Sequence, residues 1–332
     1  MPGRRSVKYP KSARPFAACK RGIEFIASVF QMNLKIRSLC FITAKRSRMM
    51  LIGSMASAIM VCAVSATAQA VAILTPNATP LDTSLAEQTR AALTGAFRVQ
   101  DLELSQAAFA ASSREGSAFN MTASDAREVA SVLGCDFFIL IKTGTQRRAS
   151  IDKADYVESF AAFYVVSGRT GRLIKWQLVS EKGADEKDAE HRLTQGTTPL
   201  SFLFDPISAV WKTERNEPAI PEIEVIPDEG STAAKNFRSP LPYMRLKPEY
   251  TKIAYLYDVT ATVEATVDLD EKGRITRLEI THWAGYGLDE SVIKAVRSMN
   301  WRPAERGGKP LPIRFLLRYN FKKIEKDDID NE

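Results

Sequence analysis

The sequence predicts an α+β protein: a mixed α/β layer domain, then a smaller ββαβ domain with a three-stranded antiparallel sheet. Three observations predict it. "CDFFILI", Cys135–Ile141, is the continuous apolar run of a strand covered on both faces. From Val259 to Asp268, apolar and polar residues alternate with the period of a half-buried strand. Leu288, Val292, Ala295, Val296 and Met299 then recur at helical spacing, and a last alternating run ends at Phe321.

The elements follow from the N-terminus. Residues 1–48 form a basic tail with twelve Lys/Arg and one acid, Glu24; they carry +11 of the net +7, and the remainder sums to −4. A basic tail without a basic folded face removes the main support for nucleic-acid binding. Residues 49–70, "MMLIGSMASAIMVCAVSATAQA", are uncharged and end in Ala68-Gln69-Ala70. This reads as a secretory signal, with residues 49–68 retained as an inner-membrane anchor as the alternative. Met32 or Met49 are candidate starts. Either way the folded part is exported to the periplasm. Only Cys135 of the four cysteines lies there, so no internal disulfide is expected.

Residues 71–212 read as the first domain. Val71–Leu74 is a short buried strand. Leu85, Thr89, Ala92 and Leu93 mark a helix from Ser84. "FRVQDLEL" alternates as a strand, and Thr122 or Ser124 caps a helix that Gly134 ends. Ser167–Gly171 joins two strands in a hairpin, and "DEKDAEHRL" opens a polar helix. "TQRR", Thr145–Arg148, reads as a basic loop. His191 stands alone, and no cluster of His, Cys or acids has the spacing of a metal or catalytic site, so no cofactor, metal or enzyme activity is expected. "DAREVASVLGCDFFIL" and "SGRTGRLIKWQL" resemble the periplasmic α/β domains of the TolB N-terminal and CsgG kind over Val71–Leu193; that resemblance implies a fold and no catalytic residue.

Residues 213–239 carry Pro218, Pro221 and Pro227 among acids, the composition of an extended spacer at about 3.1 Å per residue. Residues 240–322 form the second domain, and 323–332 a charged tail. A short helix is expected over Met244–Thr251. Asp270–Gly273 is the hairpin turn, with Gly273 suited to positive φ. Leu288 starts the next helix, where the Asp289 carboxylate is placed to accept free backbone N–H groups. Trp301 seals the helix end and Pro303 forbids its continuation.

This second domain resembles the C-terminal domain of the TonB family of energy transducers. The match rests on Gly273 in the hairpin turn, "GLDESVIKAVRSMNWRPA" and "GGKPLPIRFLLRYNF". It departs where the family's Tyr-Pro start appears as Tyr243-Met244. In that family a segment of an outer-membrane TonB-dependent receptor adds beside the last strand. The resemblance therefore implies partner contacts at Ile313, Arg314, Phe315, Leu316, Leu317, Arg318, Tyr319 and Asn320, with Tyr243 as a further candidate. Arg314, Leu316, Arg318 and Asn320 share one face; Ile313, Phe315 and Leu317 anchor the other. The expected function is a TonB-like envelope protein that binds an outer-membrane receptor or another envelope protein in support of energy-coupled transport. An inner-membrane motor complex joins the partners if residues 49–68 remain as an anchor. The alternative is a free periplasmic assembly protein that uses this domain to form a homodimer or scaffold.

Overall fold

A computed structural model describes residues 69–112, 117–150, 153–195 and 200–323. The basic tail, the export segment up to residue 68 and the tail after 323 lie outside the described residues. Ala70, the last residue of the expected export segment, is the first of β1 (Ala70–Leu74) and is buried.

The first sheet has the order β2-β1-β3-β4-β5. β1 pairs in parallel with β2 (Arg98–Val99) and β3 (Phe137–Ser150); β4 (Lys153–Ser167) and β5 (Leu173–Gly183) continue antiparallel. Helices cover both faces, which explains why β1 and β3 read as unbroken apolar runs. Val71, Ile73, Phe137, Ile139 and Ile141 face α1 (Pro80–Leu93), α4 (Glu186–Gln195) and α5 (Phe204–Glu214). Ala72, Leu74, Phe138 and Leu140 face α2 (Leu102–Ala111) and α3 (Ala123–Leu133). Thr79 and Thr122 each form a capping box with the Asp three residues on.

Two local expectations give way here. The alternation after Phe97 yields only the two residues of β2, because the Asp101 carboxylate accepts from Leu104 N–H and starts α2 instead. Thr145–Arg148 is no loop: it lies inside β3, and Arg148 donates to Glu158 at 2.8 Å across the hairpin.

The second sheet has the order β13-β8-β9: β13 (Ile313–Phe321) and β9 (Ile275–His282) flank β8 (Ala261–Leu269), all antiparallel. α7 (Leu288–Arg297) packs Leu288, Val292 and Val296 into the core. The expected helix over Met244–Thr251 lies later, as α6 (Lys252–Leu256), because Pro248 precedes it and Thr251 supplies the cap to Ala254 N–H. Pairs of short strands brace the ends: β10 (Trp301–Arg302) with β7 (Leu241–Pro242), and β11 (Ala304–Arg306) with β12 (Lys309–Leu311) and β6 (Phe237–Arg238).

The linker does not hold the two sheets apart. They share one core, in which Tyr164 of β4 meets Trp283 and Tyr286 at ring distances of 5.8 and 6.5 Å. Trp283 Nε1 donates to Gly171 C=O at 3.1 Å. Gly285 has φ +74, and a Cβ there would lie 2.5 Å from the Trp176 ring. Asn120 replaces a strand at the seam: its amide donates to Thr262 C=O and Trp283 C=O, at 2.8 and 2.7 Å, and its carbonyl accepts from Thr262 N–H at 2.9 Å. Tyr257 and Arg148 both hydrogen-bond Glu158; burial pushes that carboxyl up, but Arg148 outweighs it and leaves the group below its usual range.

Candidate functional site: the open edge of the last strand

The β8–β9 turn fixes one end of the second sheet. Gly273 has φ +75, and a Cβ there would meet Trp301 C=O at 2.2 Å. Trp301 lies past the helix end, which is at Arg297, and packs against Phe315 at 5.1 Å. It therefore packs beneath β13 in the same core as Val296 and Met299 at the helix end. Pro303 follows it between β10 and β11, where no ladder bond needs its missing N–H.

Asp289 differs from expectation. Gly287, with φ 75, is the residue before the helix, so the Asp289 carboxylate does not cap its own first turn. It reaches back to accept from Ala284 N–H at 2.9 Å and Gly285 N–H at 2.8 Å. Burial pushes its pKa up to about 7, against the pull of those two donors.

β13 pairs with β8 from Ile313↔Leu269 to Phe321↔Ala261. Ile313, Phe315 and Phe321 are buried, with Leu317 and Tyr319 half-buried. The other face carries cross-strand pairs. Arg314 binds both oxygens of Asp268, at 2.6 and 2.7 Å, and Arg318 Nε donates to Glu264 at 2.6 Å. Thr262 donates to Asn320 at 2.9 Å. Asp268 is fully buried, so the bidentate Arg314 gives both of its oxygens a partner and pins the register.

The main chain shows which groups are free. Arg314 N–H and C=O both bond away from β8, toward residues 224–226. Backbone direction in a strand repeats every second residue, so Leu316, Arg318 and Asn320 aim their N–H and C=O at the same outer edge. Leu316 is 51% exposed there. The structure thus brings Ile313–Asn320 together on one edge strand. It does not bring Tyr243 to them. Tyr243 lies on the β9 side of the sheet, with Gly273–Leu278 and Arg297 around a cavity of about 700 Å³. Sequence reasoning missed Glu224–Ile226, Glu264 and Asp268 as neighbours of the edge. The acids of β8 were readable as one face of the alternating run; residues 224–226 carried no such signal. Among the described residues no group of acids, His and Cys could hold a metal ion, and no helix is long and apolar enough to cross a membrane.

Residues 247–322 match the family described as Gram-negative bacterial TonB protein C-terminal. The solution structure of the Pseudomonas aeruginosa TonB C-terminal domain aligns at 19% identity, covering 32% of this chain and 98% of that one, with a TM-score of 0.24. A crystal structure of the lipoprotein GNA1162 from Neisseria meningitidis aligns at 14% identity over 45% of this chain and 99% of that one, with a TM-score of 0.26. A PelC dodecamer structure from Paraburkholderia phytofirmans aligns at 12% identity over 42% and 88%, with a TM-score of 0.24. No curated protein matches the chain. Residues 247–322 are a TonB C-terminal domain by that family match, which covers the second domain alone.

Proposed function

We propose that this protein is a periplasmic adaptor, and no catalyst, which captures an extended segment of an outer-membrane receptor or another envelope protein by strand addition at β13. The observation that carries this reading is the row of outward main-chain groups at Leu316, Arg318 and Asn320, on the edge strand of a TonB C-terminal domain. An added strand gains its affinity from such groups and its selectivity from the side chains that flank them. The charged pairs of Arg314 and Arg318 keep this edge soluble without occupying its main chain.

The test is Leu316→Pro in the full chain, with a photo-crosslinking residue at Asn320, in intact cells. Leu316 N–H points outward, so proline removes an edge donor and spares the bonds to β8. A crosslinked band of receptor size should fall at least tenfold. Capture at the wild-type level sinks strand addition at β13, and a band at twice the chain's own mass assigns the edge to a homodimer.

A further inference from the structure

The outer edge of β13 is occupied at its first slot. Glu224–Ile226 lies beside it in parallel: Arg314 N–H donates to Glu224 C=O at 2.7 Å, and Ile226 N–H donates to Arg314 C=O at 3.3 Å. Val225 thereby faces Arg314 as a one-residue bridge. Side chains hold the same segment. Glu224 pairs with Arg306, the Arg314 guanidinium reaches Pro221 C=O at 3.4 Å, and Ile226 packs half-buried against the core. Among the described residues the ladder stops there, with no main-chain bond from this segment to Leu316.

This is the bonding an added strand makes, supplied by the chain itself. We infer that Glu224–Ile226 is a resident ligand of the docking edge: it holds the Arg314 slot in cis, and an envelope partner that takes the whole edge has to lift it away. This rests on reading β13 as the docking edge. The outward residues Arg314, Leu316, Arg318 and Asn320 each offer one donor and one acceptor, and the resident segment uses only those of Arg314. A longer partner strand therefore outbids it in bonds, while the resident strand has the advantage of being tethered. The resident segment also describes the partner. A strand that replaces it fully lies parallel to β13 and carries an acidic residue to meet Arg306. Two positions on, it carries an aliphatic residue to fill the place of Ile226.

The experiment uses the full chain with the photo-crosslinking residue at Asn320. Ile226→Pro removes the donor to Arg314 C=O and keeps the segment extended; Glu224→Gln breaks the pair with Arg306 and leaves Ile226 in the core. Both variants should raise the yield of the crosslinked partner several-fold. In the wild type, Arg314 N–H should exchange with deuterium more slowly than Leu316 N–H, and the variants should narrow that difference. A wild-type crosslink that neither variant changes overturns the resident-ligand inference and leaves the docking edge standing. Equal exchange at Arg314 and Leu316 in the wild type overturns it as well. Absence of any crosslink in all forms removes the docking edge and the inference with it. If Ile226→Pro lowers the melting midpoint, Glu224→Gln and the exchange rates decide.

Discussion

The two sides of the TonB-like sheet are bonded in opposite ways. On the seam side, Trp283, Tyr286 and Asn120 join β8 and the loop after β9 to the first domain, burying aromatic rings and pairing the carbonyls of Gly171, Thr262 and Trp283. On the β13 side residues 221–226 are held by one bridge, an exposed ion pair, the Arg314 contact to Pro221 C=O and the half-buried Ile226, and three residues of main chain face outward. A side built from buried aromatics resists exchange; a side built from a few solvent-facing bonds permits it. The difference teaches where the sheet is held: the first domain fixes the TonB-like sheet from one side and leaves the β13 edge open, which is the arrangement the proposed strand addition needs.

The largest expected effect tests the seam. Trp283 is buried, and truncation to Ala removes its packing on Tyr164 and leaves Gly171 C=O without its donor. The cost is about 4 kcal/mol, a fall of roughly 10 °C in melting midpoint for a protein of this size. If the sheets are one mounted body, the wild type melts in one transition and Trp283→Ala melts lower, with the two sheets separating in calorimetry. Two separate transitions in the wild type break the comparison, because the seam then holds nothing.

The next effect is pH-dependent and sharpens the same side. Asp289 grips Ala284 and Gly285, the residues that dock on the first sheet. Its pKa is raised in the folded chain to about 7, so the folded state holds the proton more tightly than the unfolded state does. The stability this adds is complete below the unfolded value of about 4 and is lost as pH rises through the folded value. Between pH 5.5 and 7.5 this group should remove about 2 kcal/mol from the unfolding free energy. Asp289→Asn should lack that fall, as read by urea unfolding at the two pH values. Parallel losses in wild type and variant would mean that Asp289 is ionised throughout and that the loop is held by its charge.

How much of this was legible in the sequence differs between the same two sides. β8, β13 and the stripe of α7 could be read from their periods, since a period of two or 3.6 is local and burial on one face imposes it. The faces of β13 were readable for the same reason. The seam was not. Asn120 sits in an irregular turn, and Trp283–Tyr286 has no period, so nothing local tells that they meet Thr262 and Tyr164. The prolines of the linker pointed to extended backbone, but composition speaks to conformation and not to position; only the fold places Val225 opposite Arg314. Asp289 shows the same limit. Its place in the first turn was visible, yet the left-handed backbone of Gly287 turns the carboxylate away from its own helix.

The smallest expected effect separates main chain from side chain at the edge. Leu316 projects from the outer face of the sheet and is half exposed, so Leu316→Ala removes little buried area and should change stability by less than about 0.5 kcal/mol. If partner affinity comes from the N–H and C=O of residue 316, the alanine variant keeps both and should retain capture to within about threefold. Leu316→Pro removes the N–H alone and should lose it. Both variants alter the same side chain and only one alters the ladder, so their ratio in crosslinking yield measures the main-chain share directly. Equal losses in the two would move recognition from the strand edge to an apolar side-chain pocket. The free main chain of Leu316, Arg318 and Asn320 would then be a passive feature of an edge whose partner reads only the leucine.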